Sequence, residues 1–202
     1  MEDTTTKGRL LIFCGVPGSG KTTIAHLVAE SIGSAIHIQT DALRFMIPTP
    51  SYTAVESKLV YQCMFMVGRE ALKSGYDAIL DGTFLKEDYR SEAVGKLSRY
   101  CSSCHVVCVL CDREVARKRN SQRSAIVPDA SFDRMSASFE KPKNAILVHS
   151  DRRTAESAAR YVLRKLGNVS ERASERASER EGGREGAEVS APRGKQTREA
   201  NG

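Results

Sequence analysis

The sequence has no long hydrophobic run. Its longest predominantly apolar stretch, residues 59–67, is too short to cross a bilayer and is flanked by Lys58 and Arg69. Residues 1–9 are polar and contain no apolar core of the kind that a signal peptide has. These absences favour a cytoplasmic protein without a membrane partner.

The sequence also lacks a metal-binding spacing among its cysteines and histidines. Cys101-x-x-Cys104 and Cys108-x-x-Cys111 look like two zinc knuckles, but they are only three residues apart on a predicted strand. Successive side chains of a strand point to opposite faces, so the four sulfurs cannot converge on one tetrahedral ion. Because nothing indicates secretion, we expect the six cysteines to be free, buried thiols in a reducing compartment.

The composition is that of one globular domain followed by a polar segment. Of the 202 residues, 40% are hydrophobic and 28% are charged, which allows a sizeable core. Residues 168–202 repeat Glu-Arg-Ala-Ser and contain almost no large apolar side chain, so they cannot offset the entropy cost of ordering. We predict a flexible N-terminus at 1–8, a folded domain at 9–167 and a disordered charged tail at 168–202.

The net positive charge belongs to the predicted folded part of the chain. The formal net charge is +6, and residues 168–202 hold as many basic as acidic side chains. The excess therefore lies in residues 1–167. A basic domain suits a polyanionic ligand, either a nucleotide alone or a nucleotide together with a nucleic acid.

Apolar segments alternate with segments of helical spacing along the predicted domain. This alternation predicts βαβ units and a parallel sheet covered by helices on both faces, with ligands at the carboxyl ends of the strands. We therefore expect an α/β fold, a three-layer α/β/α sandwich around a central, mainly parallel five-stranded sheet. The predicted strands are residues 9–14, 35–38, 78–81, 105–110 and 145–149. The predicted helices are residues 21–31, 53–73, 86–100 and 151–166, with another after Asp112.

A glycine-rich segment between the first strand and the first helix fits the pattern G-x-x-x-x-G-K-[ST] of a P-loop. Its glycines permit a tight wrap around an anion, and the helix start adds a positive dipole. Lys21 can reach the β and γ phosphates of ATP, and the Thr22 hydroxyl can ligate Mg²⁺. The sequence thus predicts a P-loop NTPase-type fold that binds ATP and Mg²⁺. The predicted nucleotide-binding residues of this segment are Gly15, Pro17, Gly18, Ser19, Gly20, Lys21, Thr22 and Thr23.

Asp41 and Arg44 follow the second strand and would share one face of a first helical turn. Two interpretations are open. In one, Asp41 accepts the proton of an attacking hydroxyl, and Arg44 holds an acceptor phosphate or the transferring group. In the other, Asp41 only caps a short helix and Arg44 is solvated.

Asp81 ends the third strand, where P-loop proteins place an acidic group near Mg²⁺ and its waters. The alternative is that Asp81 simply forms a turn at the strand end. Arg90, on the helix that follows, is either a second phosphate contact or a surface charge.

Residues 117–123 are densely basic, and Arg119 and Arg123 share one helix face. Two guanidinium groups aimed at the P-loop can neutralise charge on a transferred phosphoryl group. We predict that residues of about 113–136 form a helical lid that excludes water, unless the segment is only a solvated basic helix.

Together these motifs resemble the kinase domain of phage-type polynucleotide 5′-hydroxyl kinases over residues 10–149. Broader relatives are the zeta-toxin and small-molecule P-loop kinases. The segments that carry the resemblance are Gly-x-Pro-Gly-Ser-Gly-Lys-Thr, Asp41-x-x-Arg44, Asp81-Gly-Thr-Phe and Arg119-Asn-Ser-x-Arg123 with Val127-Pro128. The Asp-x-Asp-Gly-Thr motif of a 3′-phosphatase is incomplete here, because the first Asp is missing, and we predict no such activity.

The resemblance implies a role for each matching residue. Asp41 would be the general base for the 5′-hydroxyl, and Arg44 would contact the neighbouring phosphate of the acceptor. Lys21 and Arg123 would act on the donor phosphates.

On the donor side, the resemblance implies that Arg119 supports the lid or stacks near the adenine. Thr22 and Asp81 would serve the metal. The catalytic residues predicted in this way are Lys21, Asp41, Arg44 and Arg123.

The predicted function is transfer of the γ-phosphate of ATP, with the 5′-hydroxyl end of RNA or DNA as the leading acceptor. A first alternative is a kinase of a small molecule, such as a sugar, an antibiotic or a nucleotide sugar, or of aminoacyl-tRNA. A closed apolar pocket walled by Tyr52, Tyr61 and Phe65 would favour a small acceptor. A second alternative is an ATP-binding switch or assembly module with little turnover.

Overall fold

The computed structural model describes residues 7–123 and 126–167. The chain divides into two units, Met1–Lys165 and Leu166–Gly202, and the described strands all lie in the first. Of the predicted flexible N-terminus only residues 7 and 8 are described, and the predicted disordered tail lies outside the described residues. No helix within the described ranges is long and apolar enough to span a membrane.

Five parallel strands form one sheet in the order β2-β3-β1-β4-β5. This arrangement confirms the predicted three-layer α/β/α fold. The strands are β1 (Leu10–Cys14), β2 (Ala35–Gln39), β3 (Asp77–Asp81), β4 (Cys104–Leu110) and β5 (Ile146–His149). The described helices are α1 (Lys21–Ile32), α2 (Thr40–Arg44), α3 (Ala54–Lys73), α4 (Glu87–Leu97), α5 (Arg113–Ser121), α6 (Asp129–Ala137) and α7 (residues 155–167).

β1 lies at the centre of the sheet, between β3 and β4. All residues of β1 and β3 are buried, because both faces of a parallel sheet are covered. The register pairs Phe13 with Asp81 and Cys14 with Cys108, so β1 and β3 end within one residue of each other and β4 continues two residues further, to Leu110. The loops that leave these strand ends meet at one edge of the sheet, and this edge holds the candidate site.

Thr53-Ala-Val-Glu56 is a capping-box pattern, which predicts a helix start, and helix α3 begins at this point. The Thr53 side chain accepts a hydrogen bond from the backbone N–H of Glu56 at 3.2 Å, and Gly75 follows the helix with a φ of 82°, as a helix-terminating glycine does. The predicted helix 86–100 is shorter than expected: α4 ends at Leu97 and a 3₁₀ turn, Ser98–Tyr100, follows. The main core contains buried residues of β1, β3, α3 and α4, among them Leu10, Ile12, Leu80, Met64, Phe65, Leu72 and Leu97.

Arg90 is neither a phosphate contact nor a surface charge, the two roles that its sequence position suggested, because it is buried inside the fold. Its guanidinium donates to the carbonyl oxygens of Phe84 at 2.6 Å and Glu140 at 2.8 Å, and to the Glu87 carboxylate at 2.8 Å. Arg90 therefore joins the loop after β3 to the segment after α6. Its role is to hold two chain segments together near the strand ends.

Replacing Arg90 with Met should destabilise the fold, because the two carbonyl oxygens lose their donor inside the protein. We expect the free energy of unfolding to fall by about 3 kcal/mol, measured by chemical denaturation. Lys96→Met on the same helix is the matched control. It removes surface contacts with Glu92, Gln62 and the Phe65 ring, and should cost no more than about 1 kcal/mol. Equal effects of the two changes would refute the structural role of Arg90.

Candidate functional site

The loop between β1 and α1 lies tightly against β4 and α5. Gly15 and Gly18 have φ values of 146° and 74°. A Cβ atom at Gly15 would lie 2.4 Å from the carbonyl oxygen of Val109, and one at Gly18 would lie 2.1 Å from that of Ala116. Glycine is therefore required twice, for its dihedral freedom and for its lack of a side chain. This packing leaves the backbone of the loop wrapped around the start of α1.

Lys21, at the start of α1, is only 8% exposed. Its Nζ donates to the carbonyl oxygen of Val16 at 3.0 Å. Burial lowers the pKa of Lys21, an effect that the charge of Arg123 strengthens and the carboxylates of Asp81 and Asp41 oppose. Burial disfavours the charged form of Lys21. A bound anion would offset this effect, because opposite charge favours the protonated amine.

Ser19 gives a second sign that the loop fits an oxygen-rich anion. The residue is fully buried, and its Oγ has no hydrogen-bond partner among the described residues. Buried hydroxyl groups are normally satisfied, so this one is available to a ligand. The hydroxyl-bearing Thr22 follows Lys21 and is exposed. Together with the helix dipole, these groups can hold phosphate oxygens.

Arg119 connects the P-loop to the residue that follows β5. Its guanidinium donates to Oγ of Ser150 at 3.0 Å and to the carbonyl oxygen of Ser150 at 3.2 Å. The Ser150 hydroxyl in turn donates to the carbonyl oxygen of Ser19 at 2.6 Å. The residue after β5 is thus tied to both α5 and the P-loop. Ser150 was not predicted as a site residue, because a serine after a strand carries no signal in the sequence.

A cavity of about 230 Å³ opens beside Arg119 and Ser150. It lies between the start of α1 and the loop that follows β5. Its position next to the P-loop suits a flat organic group attached to bound phosphates. The residues that line it are Gly20, Thr23, Ile24, Arg119, Ser150, Arg153, Thr154 and Ala155.

Asp41 and Arg123 meet across the site. Arg123 Nη2 donates to Asp41 Oδ2 at 2.6 Å, although the residues are 82 positions apart. Asp41 stands in the first turn of the short helix α2, and both residues lie close enough to Lys21 for their charges to act on its pKa. The structure therefore brings together three of the four predicted catalytic residues.

Arg44, the fourth predicted catalytic residue, is buried and paired within the protein. Its guanidinium forms an ion pair with Glu56 and donates to Ser57 Oγ at 3.3 Å. The guanidinium carbon also lies 4.7 Å from the ring centre of Tyr52, in the geometry of a cation–π contact. In this arrangement Arg44 is neither solvated nor directed at a free anion.

Glu56 was not predicted to pair with Arg44. Its place in the capping-box pattern had already given it a role at the start of α3. Burial alone would raise its pKa. Donation from the Ser51 backbone and hydroxyl, from Arg44 and from the Tyr52 backbone outweighs burial and lowers the pKa of Glu56 to about 2. The carboxylate therefore stays charged and keeps Arg44 occupied.

Asp81, at the carboxyl end of β3, is buried. His37 Nε2 lies 3.3 Å from Asp81 Oδ2, and the Thr40 hydroxyl donates to the Asp81 carbonyl at 3.4 Å. The described residues contain no cluster of three His, Cys, Asp or Glu side chains that could hold a metal by itself. A Mg²⁺ ion at a P-loop needs few protein ligands, because phosphates and water supply the rest. Thr22, at the start of α1, and Asp81, at the end of β3, are the residues that the sequence assigned to this ion, and the assignment stays a prediction.

The basic segment around residue 117 divides into two parts. Arg113 and Arg117 donate to Asp133 on α6, and Arg117 also donates to Asp129. These pairs join α5 to α6, so Arg117 stabilises the predicted lid segment from within. Arg119 and Arg123 instead point to the P-loop side, as described above.

The glycine-rich loop between a central buried strand and a helix, with an acidic residue ending the neighbouring strand, defines a P-loop protein. The model of the AAA domain family matches residues 10–142, more than half of the chain. The chain therefore belongs to this AAA domain family of P-loop proteins. No curated protein matches the sequence significantly.

Solved structures with a similar fold include several kinases. A sugar kinase from Janibacter sp. HTCC2649 is 24% identical, with a TM-score of 0.63 over 79% of this chain and 95% of that chain. The APS kinase CysC from Mycobacterium tuberculosis, solved with AMPPNP and APS, is 17% identical, with a TM-score of 0.66 over 80% of this chain and 99% of that chain.

A third similar structure is a chain of the Pnkp1/Rnl/Hen1 RNA repair complex. It is 19% identical, with a TM-score of 0.58, over 72% of this chain and only 51% of that chain. At these identities the three likenesses establish the fold, which is that of P-loop kinases. The narrower resemblance to phage-type polynucleotide kinases stays a prediction.

Glu56 should give the protein a distinctive acid response. Its pKa is about 2 in the folded state against 4.5 in a model compound, so the unfolded chain binds more protons between these values. The stabilisation by Glu56 is complete above pH 4.5 and is lost as the pH falls towards about 2. We expect Glu56→Gln to be less stable than the wild type at neutral pH, and the difference to shrink as the solution is acidified.

Chemical denaturation at a series of pH values measures this difference. Glu92→Gln, an exposed carboxylate on α4, is the matched control that removes the same charge. A gap between wild type and Glu56→Gln that stays constant down to pH 2 would contradict the assigned pKa of Glu56.

Proposed function

We propose that this chain is an ATP-dependent kinase. The observation that carries the proposal is the Asp41–Arg123 contact beside Lys21. It brings together a carboxylate suited to a general base, a lid-side guanidinium and the lysine of the P-loop. A protein that only binds nucleotide needs the P-loop but has no use for a base facing it.

On the donor side, the P-loop and Lys21 would hold the triphosphate of ATP. The cavity beside Arg119 would receive the adenine, with the guanidinium plane available for stacking. Mg²⁺ would be held by Thr22 and, through water, by Asp81, and when bound it would neutralise charge on the phosphates. The buried Lys21 and the unpartnered Ser19 hydroxyl support an anionic ligand at this point.

Asp41 would accept the proton of the attacking hydroxyl. Asp41 Oδ2 already accepts a hydrogen bond from Arg123 Nη2 at 2.6 Å, and this contact competes with an attacking hydroxyl for the same carboxylate. We therefore expect Arg123 to leave Asp41 when ATP binds and to move to the donor phosphates, which carry more negative charge. The same movement would free the base and place the cation where charge develops.

For the acceptor we propose the 5′-hydroxyl end of RNA or DNA. Phe45 lies one helical turn after Asp41 and is 59% exposed, and its neighbour Met46 is 77% exposed. Tyr52 is 60% exposed and is held with a φ of 55°, a strained value for a non-glycine residue. Exposed aromatic and apolar side chains near Asp41, the proposed general base, suit the stacking of nucleobases.

The same surface argues against a closed pocket for a small acceptor. Such a pocket would need Tyr52, Tyr61 and Phe65 as its walls. Tyr61 and Phe65 instead pack inwards, with ring centres 6.1 Å apart, and burial raises the pKa of Tyr61. Tyr52 faces solvent. The acceptor side is therefore open enough for a polymer end.

One observation favours the second candidate, a kinase of a small molecule without a phosphate beside its reacting hydroxyl. Arg44 is the residue that the resemblance assigns to the acceptor phosphate, and Glu56 already neutralises it. The sugar kinase and APS kinase among the similar structures make a small acceptor a concrete alternative.

The acceptor is identified by incubating the full chain with γ-labelled ATP, Mg²⁺ and 5′-hydroxyl oligonucleotides of RNA and DNA, beside a panel of sugars and nucleosides. We expect label on the oligonucleotides. Label confined to the small molecules would replace the leading acceptor with the second candidate. Label on none of them, together with no ATP binding, would defeat the kinase proposal.

Replacing Asp41 with Asn should leave ATP binding intact and reduce phosphate transfer about 10²- to 10⁴-fold, the range for loss of a general base. Binding is measured by calorimetry and transfer by the labelling assay with the best acceptor. Asp88→Asn, an exposed residue of α4, is the matched control and should transfer at the normal rate. Normal transfer by Asp41→Asn would remove Asp41 from the proposed mechanism.

Replacing Lys21 with Ala should weaken ATP binding about 10- to 100-fold, because a charged hydrogen bond to the phosphates is lost. Lys73→Ala, an exposed lysine at the end of α3, controls for the change in net charge. Unchanged affinity in Lys21→Ala would mean that the triphosphate does not lie in the P-loop.

A further inference from the structure

Two cysteine thiols touch at the amino end of β4. Cys101 follows the 3₁₀ turn Ser98–Tyr100, Cys104 begins the strand, and their sulfur atoms are 3.2 Å apart. Cys101 is buried and Cys104 is exposed. One sulfur is therefore accessible to a reagent, and the other lies directly behind it.

Backbone hydrogen bonds hold the turn that brings these sulfurs together. Ser102 N–H donates to the carbonyl oxygen of Gly8 at 2.8 Å, and Leu10 N–H donates to that of Ser103 at 2.8 Å. Both residues between the two cysteines are thus tied to the chain segment that leads into β1. The two sulfurs are therefore close for two reasons: the cysteines are three positions apart, and the turn between them is held against the segment before β1.

We propose that Cys101 and Cys104 form a redox-active dithiol, which a low-molecular-weight disulfide oxidises to an intramolecular disulfide. This inference is independent of the proposed kinase function. It concerns the amino ends of the strands, whereas the candidate site lies at their carboxyl ends.

The chemistry balances as two successive thiol–disulfide exchanges. The Cys104 thiol loses its proton, and its sulfur attacks one sulfur of the reagent, releasing the first reagent thiol. The Cys101 thiol then loses its proton and attacks the Cys104 sulfur of the mixed disulfide, releasing the second reagent thiol. Two protein thiols are oxidised, and one reagent disulfide is reduced to two thiols that take up the two protons.

Burial and the contact with Cys101 raise the pKa of the Cys104 thiol to about 12, so this thiol is almost entirely protonated at neutral pH. The Cys101 thiol donates to the Ser98 carbonyl at 3.4 Å. Because the thiolate is the attacking species, the first exchange is slow at neutral pH and becomes faster as the pH rises. The second close pair, Cys14 and Cys108, is fully buried in the centre of the sheet, where a reagent has no access.

The test treats the reduced full chain with excess oxidised glutathione, alkylates the remaining free thiols and determines the mass of the intact protein. We expect a product with two fewer alkylated cysteines, no attached glutathione and full recovery on reduction with dithiothreitol. Accumulation of glutathione adducts without closure, or retention of every free thiol, would overturn the proposal.

Serine variants separate the roles of the two sulfurs. Cys101→Ser should stop at a glutathione adduct on Cys104, because the resolving thiol is gone. Cys104→Ser should remain unmodified at Cys101, because no exposed thiol starts the exchange. Cys63→Ser, a half-buried cysteine on α3, is the control that should still form the disulfide. A disulfide that persists in Cys104→Ser would show that other cysteines pair.

Discussion

The site depends on the close contact of the P-loop with β4 and α5. At Gly15 and Gly18 the loop approaches backbone carbonyl oxygens of those elements more closely than any side chain would permit. This contact sets the course of the loop before a ligand arrives, so its backbone is already shaped around the start of α1. In this loop region Lys21 is buried, and the Ser19 hydroxyl has no hydrogen-bond partner within the part of the chain that the structure describes.

The charged groups around the loop are already compensated to different extents. Lys21 makes one hydrogen bond to a carbonyl oxygen, which leaves most of its charge for a phosphate. Asp41 and Arg123 neutralise each other through a single hydrogen bond. Arg44 is bound more firmly, since its partner Glu56 is itself held by the backbone. A ligand would therefore rearrange the Arg123 side of the site first.

The pattern of residues predicted the α/β fold, the five parallel strands and the helix caps of α3, because each depends on periodicity within one segment. It also predicted that Asp81 ends the third strand and that Lys21 begins the first helix, as both do. It assigned Arg90 to a surface or a ligand, whereas the structure buries it between two loops. An arginine in a helix has the same spacing in either environment, and only packing distinguishes the two.

The sequence by itself determined the layered fold and the phosphate-binding loop, because alternation of apolar residues and the dihedral freedom of glycine act locally. Only the tertiary structure decided which polar and charged side chains meet. Arg44 with Glu56, Arg119 with Ser150 and Asp41 with Arg123 are 12, 31 and 82 positions apart. The partners in the last two pairs are brought together by the order of strands in the sheet, and those in the first by the packing of α2 against α3, neither of which a single segment encodes.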